Sequence, residues 1–227
     1  MRRVDSGSQQ IGRTRCLTIL WAVVLLSNLA AQFSWGQTES VRREQSIPIL
    51  ATTTGEHATG AVVYVVVAVE QRRDTSGLQM IFHTTPGRVS RLAQTSIHEA
   101  VLHTARALDL SPDSWTVTLI VPYPNVTIGG DSLSGMVALS IATLAQGHPV
   151  PSHTVLTGTI RPDGSIAPVG AVPLKLAAAQ VALIRRVLVS DRQMTQEAPV
   201  LSSTMQISPV RSVREAFETV VTPSSTP

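Results

Sequence analysis

A single lysine, Lys175, stands against seventeen arginines in this chain of 227 residues. It ends the run Pro168-Val169-Gly170-Ala171-Val172-Pro173-Leu174-Lys175 and is followed by the apolar LAAAQVAL. That places it at the start of an apolar helix, on or near its buried face. Where a generic positive charge will do, this chain uses arginine, and a guanidinium stays protonated in proteins. An amine can act as a base once desolvation and a positive helix end depress its pKa towards neutrality. Lys175 is therefore a candidate general base; a solvated charge, or a chain-wide bias to arginine, would leave the same trace. A base needs a nucleophile to serve. Ser132, within Gly130-Asp131-Ser132-Leu133-Ser134, follows an expected strand and a short loop, at the first turn of the next helix. There its hydroxyl lies beside free backbone N–H groups and the positive helix end, which suits a developing oxyanion. The same position equally suits Asp131 or Ser132 as a plain N-cap.

Two other constellations carry less. His98-Glu99-Ala100-Val101-Leu102-His103 resembles the HExxH of zinc peptidases, but its histidines are five apart rather than four. On a helix they diverge by about 140° and share no metal face. Gly130-Asp131-Ser132-Leu133 also spells the first block of GDSL-type esterases. The later Asp-x-x-His that supplies their base does not occur here, nor does a Gly-x-Asn-Asp oxyanion block. Without a base, a serine is a weak nucleophile. The one cysteine, Cys16, allows no internal disulfide and no thiolate zinc cluster. We therefore expect neither a metal nor a cofactor.

The elements that must position Ser132 and Lys175 read as a single α/β (α+β) domain, with mixed sheets packed against helices. Strands are expected at 46–53, 60–71, 78–83, 115–121, 155–160 and 186–190, with a short return at 166–169. Helices are expected at 90–108, 132–145, 174–183 and 210–221. Residues 37–45 read as a polar linker, 46–222 as the domain and 223–227 as a frayed tail. Ahead of these, residues 1–36 carry an Arg-bearing start and the apolar run Cys16–Ala31, which reads as a signal peptide or signal anchor. The expected location is exported: periplasmic, extracellular or anchored to a membrane. Residues 1–36 also carry the entire net charge of +3, so the remainder is neutral. With aromatic residues at only 4%, this argues against a nucleic-acid partner.

Four motifs in order then carry a family resemblance. Gly130-Asp131-Ser132-Leu133-Ser134 resembles the Gly-Asp-Ser-Ala-Ser nucleophile loop of archaeal-type Lon proteases, and Lys175 follows Ser132 at the separation of the Lon Ser–Lys dyad. Between them, Val155–Ile160 resembles the family's Met-Thr-Gly-Glu-Ile strand. Ile166–Lys175 is similar to its Val-Leu-Pro-Ile-Gly-Gly-Leu-x-x-Lys. Ala177–Ala179 and Arg186–Val189 continue the match, and the likeness spans about 46–221. The resemblance implies a serine endopeptidase with Ser132 as nucleophile and Lys175 as base. It implies that Thr157 hydrogen-bonds near the dyad to position the amine, and that Gly130 and Asp131 belong to the oxyanion loop. Departures are Ala171 for the second glycine, Pro173 just before the lysine, and the bulky Leu133. No Gly-x-x-x-x-Gly-Lys-[Ser/Thr] pattern occurs, so no ATPase module is expected in this chain. The implied partners are a polypeptide substrate, further copies in a homo-oligomer ring, and an ATPase or adaptor in trans. The alternative in another class is a catalytically silent Lon-fold interaction module.

Overall fold

Two strands, β1 (Arg42–Thr52) and β2 (Gly60–Gln71), form a long antiparallel hairpin running from the pair Arg42 and Glu70 to the pair Thr52 and Gly60. The β-branched run in β2 suits a pleated, buried position, and Val65, Val67, Ala68 and Val69 are all buried. In the computed structural model, residues 41–194 and 205–222 are described. The expected signal or anchor at 1–36, the first part of the linker and the tail at 223–227 lie outside them. No helix among the described residues is long and apolar enough to cross a membrane.

The chain continues through β3 (Gln79–Phe82), β4 (Arg88–Val89), helix α1 (Arg91–Ala107), β5 (Trp115–Ile120) and β6 (Thr127–Ile128). Then come α2 (Ser134–Ala145), β7 (Thr154–Thr157), β8 (Thr159–Ile160), β9 (Ile166–Ala167) and α3 (Val172–Val181). The described part closes with β10 (Arg186–Ser190), α4 (Asp191–Met194), β11 (Gln206–Val210) and α5 (Val213–Val221). One sheet has the order β1-β2-β5-β3, with only the β3–β5 pair parallel. A second, parallel sheet has the order β11-β10-β7. The pairs β4–β6 and β8–β9 are ladders of two residues per strand.

Helix α2 sits at the centre. Its sequence SGMVALSIATLA is apolar on every side, as a core helix should be, and all but its last residue are buried. Its two interior hydroxyls are satisfied within the helix: Ser140 Oγ donates to the Met136 carbonyl and Thr143 Oγ1 to that of Ser140. Helix α1 lies alongside with a stripe of Ala93, Ile97, Ala100, Val101 and Ala105 inward, its start capped by Ser90 Oγ accepting from the Ala93 N–H. The expected mixed α/β domain is thus the observed one.

The differences are local. Strand β1 begins at Arg42, so the last residues of the expected linker are strand. The expected strand at 155–160 breaks at Gly158 into β7 and β8. Helix α2 begins at Ser134 rather than at Ser132, and the last helix begins at Val213 rather than Val210. Strand β11, which the sequence reading missed, is QISPV, and its pairing is wholly with the distant β10.

One arginine ties the turn after β2 to β5. Arg72 Nε donates to Asp74 Oδ1, Nη1 to the Trp115 carbonyl and Thr116 Oγ1, and Nη2 to Ser76 Oγ and the Gly77 and Asp113 carbonyls. This planar fork has no lysine equivalent. Arg72→Ala is expected to cost about 2–3 kcal/mol, because several partly buried carbonyls lose a charged donor together. Urea unfolding of the variant checks this; an unchanged midpoint would show the network to be dispensable.

Candidate active site

Ser132 lies two residues ahead of α2, in a loop bent by Gly130 at φ +81°. A side chain is strained there, whatever the space. The loop closes when the Ser134 N–H donates to the Asp131 carbonyl. The N-cap residue of α2 is Leu133, with no side-chain cap. Neither Asp131 nor Ser132 is therefore occupied as a cap, and the Ser132 hydroxyl is available for other work.

Two backbone bonds pin this loop to the end of β7. The Gly158 N–H donates to the Ser132 carbonyl at 3.2 Å and the Gly135 N–H donates to the Gly158 carbonyl at 3.0 Å. A Cβ on Gly135 would sit 2.4 Å from that Gly158 oxygen. Glycine is thus what lets helix and strand end approach so closely. With the N–H groups of Ser134 and Gly135 engaged, those of Ser132 and Leu133 make no backbone hydrogen bond among the described residues. They are the donors free to face a developing oxyanion.

Lys175 arrives from the other side. The chain turns into α3 at Ala171, at φ +57° and ψ 34°, and the Lys175 N–H closes the first turn on the Ala171 carbonyl at 3.1 Å. Helical spacing puts Val172, Lys175, Leu176 and Ala179 on the inward face. Lys175 is only 4% exposed, and its Nζ donates to Ser132 Oγ at 2.9 Å. Burial pushes its pKa below the ordinary 10.5, opposed by the carboxylate of Asp131. The left-handed turn at Ala171 costs an L-residue roughly 1 kcal/mol relative to glycine. Ala171→Gly is accordingly expected to leave the thermal midpoint level or raise it slightly, since the added freedom of the unfolded chain offsets the relief. Ala171→Val is expected to lower it clearly, because a β-branched residue resists positive φ; equal midpoints for both would refute this.

One expectation needs correction. Thr157 is buried, 2% exposed, at the end of β7, but its Oγ1 has no hydrogen-bond partner. The hydrogen bond that the resemblance implied for Thr157 near the dyad is thus not made in this structure. Gly130 and Asp131 are exposed on the loop before α2, and Asp131 acts on Lys175 through its charge. The two histidines stay apart from this site: His98 is exposed, and His103 Nδ1 bonds the Ile160 carbonyl.

Ser132 and Lys175 open into a cleft of about 630 Å³. One wall is the end of the hairpin, Ile49–Thr54 with Ala61 and Val63; the other is Val126–Gly130. Among the described residues, Lys175 is the only charged one in the lining. Both walls are strand edges. Strand β1 ends its sheet. In β6, the Val126 and Ile128 carbonyls accept from Arg88 and Ser90 on the β4 side, so the Thr127 N–H and C=O point the other way. Apart from Gly130, the sequence reading missed these wall residues. They are ordinary aliphatic, threonine and glycine residues in three separate segments, and only the fold unites them.

Known proteins show the same likeness. The family model of the Lon protease (S16) C-terminal proteolytic domain matches residues 54–223. A Lon protease of Phenylobacterium zucineum is 26% identical over 202 residues, covering 80% of this chain and 26% of that protein. A Lon protease of Chloroflexus aurantiacus is 27% identical over 152 residues, covering 63% of this chain and 18% of that one. The chain thus spans about a quarter or less of the length of these relatives.

Proposed function

We propose that this chain, which belongs to the family of Lon protease (S16) C-terminal proteolytic domains, is a serine endopeptidase with Ser132 as nucleophile and Lys175 as general base. The observation that carries this reading is the 2.9 Å contact between a buried amine and a serine hydroxyl at the head of a cleft. In the working state the amine is neutral and accepts the Ser132 proton as Oγ attacks the scissile carbonyl. The oxyanion then rests against the free Ser132 and Leu133 N–H groups. The protonated Lys175 returns its proton to the leaving amine as the acyl-enzyme forms. Water, deprotonated by the same lysine, releases the acid and restores Ser132.

The substrate is a polypeptide in extended form. It would lie between the β1 edge and the free edge of β6, pairing with the Thr127 N–H and C=O as an added strand. The uncharged lining favours aliphatic and small side chains beside the scissile bond. An ATPase or adaptor acting in trans could feed unfolded substrate to the cleft, and self-assembly would enlarge the grip on it. The Arg-bearing start and apolar run of residues 1–36 support an exported or anchored protein.

Incubation with an unfolded casein-like substrate, without nucleotide and with excess chelator, tests the reading. Cleavage is expected from the native protein and not from Ser132→Ala. Cleavage that survives in Ser132→Ala would remove Ser132 as the nucleophile, and a folded native protein that cleaves nothing would leave the silent interaction module as the reading.

A further inference from the structure

Lys175 reaches Ser132 from a helix whose starting turn touches the core through half-buried Val169 and leaves Gly170 and Ala171 exposed. Between β9 and α3 lie Pro168, Val169, Gly170 and Ala171. Pro168 has no N–H to donate, a Cβ on Gly170 would meet nothing within 4 Å, and Ala171 is exposed. Two buried polar side chains from behind hold this segment. Ser190 Oγ, at the end of β10, donates to the Ile166 carbonyl at 2.7 Å. Gln193, on the four-residue α4, presents Oε1 to the Val169 N–H at 2.9 Å. Gln193 is 6% exposed, although glutamine is among the residue types that are mostly exposed. Its amide oxygen does for Val169 what no strand or helix partner does.

We propose that Gln193 is a positioning residue for Lys175: by accepting the Val169 N–H it fixes the turn from which α3 starts, and so the distance between amine and hydroxyl. This rests on the reading of Ser132 and Lys175 as a dyad, and adds to it a residue outside the cleft. The lever is short. Val169 is two residues from Ala171, whose carbonyl closes the turn carrying Lys175. Without the bond, a half-buried N–H is left unpaired, and the segment relaxes outward to find water. Water then follows to the amine. The charges that face this amine are few. Asp131 comes from the loop before α2, and the cleft residues of β1 and β2 are uncharged.

The chain's single lysine allows a direct test on the full-length protein. Labelling lysine with carbon-13 at Cε makes Lys175 the only labelled residue, and its chemical shift against pH gives the ionisation of that amine alone. Gln193→Met keeps the side-chain length and removes the acceptor. It is expected to move the titration midpoint upwards, shift the pH profile of peptide cleavage the same way, and lower kcat by about tenfold with KM little changed. A core variant far from the segment, Ile97→Val, controls for lost stability and is expected to move neither curve. If Gln193→Met does not fold, Gln193→Asn, one methylene too short to reach Val169, is expected to shift the midpoint likewise. A folded Gln193 variant that titrates as the native protein does would overturn the proposal. Should the native protein cleave no peptide, the dyad reading falls, while the resonance still decides whether Gln193 places the amine.

Discussion

Replacing Lys175 with arginine is expected to abolish peptide cleavage as fully as replacing it with alanine. A surface lysine tolerates arginine, since charge and stem length are kept. A general base does not, because a guanidinium holds its proton at every working pH. Ser132 then keeps its hydrogen, and the expected loss is on the order of 10²–10⁴ in rate. Initial rates on protein shown by circular dichroism to be folded decide the matter. A folded, active Lys175→Arg would remove Lys175 from the chemistry.

The same residue sets two pH dependences. On the reading of Lys175 as base, only its free amine can take a proton, and the rate is expected to rise as pH climbs through the lowered lysine pKa. Stability moves the same way. With the folded pKa below the unfolded value of 10.5, the unfolded chain binds the extra proton between the two. Stability therefore increases with pH across that window and is lost again as pH falls through the folded value. Lys175→Met, which carries no proton in either state, should flatten the slope in urea midpoints.

Gly60→Ala is expected to be nearly as damaging, though it touches neither reacting group. A Cβ there would lie 1.9 Å from the Leu174 carbonyl oxygen and 3.0 Å from the Ala178 Cβ. The obstacle is backbone, so no rotamer change resolves it. Helix α3 must lift from the start of β2, and Lys175 is the next residue along. Overpacking of this kind costs about 1–3 kcal/mol. A displacement of about 1 Å between reacting groups can cost on the order of 10² in rate. Chemical denaturation and cleavage assays read the two effects separately. A Gly60→Ala protein with native values in both would show that α3 is not seated where its backbone contacts place it.

Much of this was legible from residue types alone. The β-branched run in β2, the helical spacing from Leu92 to Leu108 and the apolar α2 each announced their element, because local pattern and burial agree there. Ser132 and Lys175 stood out because their chemistry differs from that of every neighbour in type or setting. What stayed hidden depends on partners distant in the chain. Strand β11 carries Pro209 and finds its partner only in the parallel β10. The walls of the cleft are mostly aliphatic residues and threonines with no individual mark. Gln193 is one glutamine among several until its amide oxygen is seen against Val169. Thr157 shows the opposite error. The family resemblance implied a hydrogen bond near the dyad, but its Oγ1 is buried without a partner.

The two walls of the cleft differ in how they are held. The β1 wall belongs to a hairpin whose register runs unbroken from Arg42 to Thr52. Opposite it, β6 is held by a ladder of only two residue pairs to β4. Breaking a two-pair ladder exposes little, so such elements open by local fluctuation well before the sheet as a whole. The cleft is thus a vice with one fixed jaw and one sprung jaw. By that argument Val126–Gly130 would yield to a wide side chain more readily than Ile49–Thr52, which the full hairpin backs.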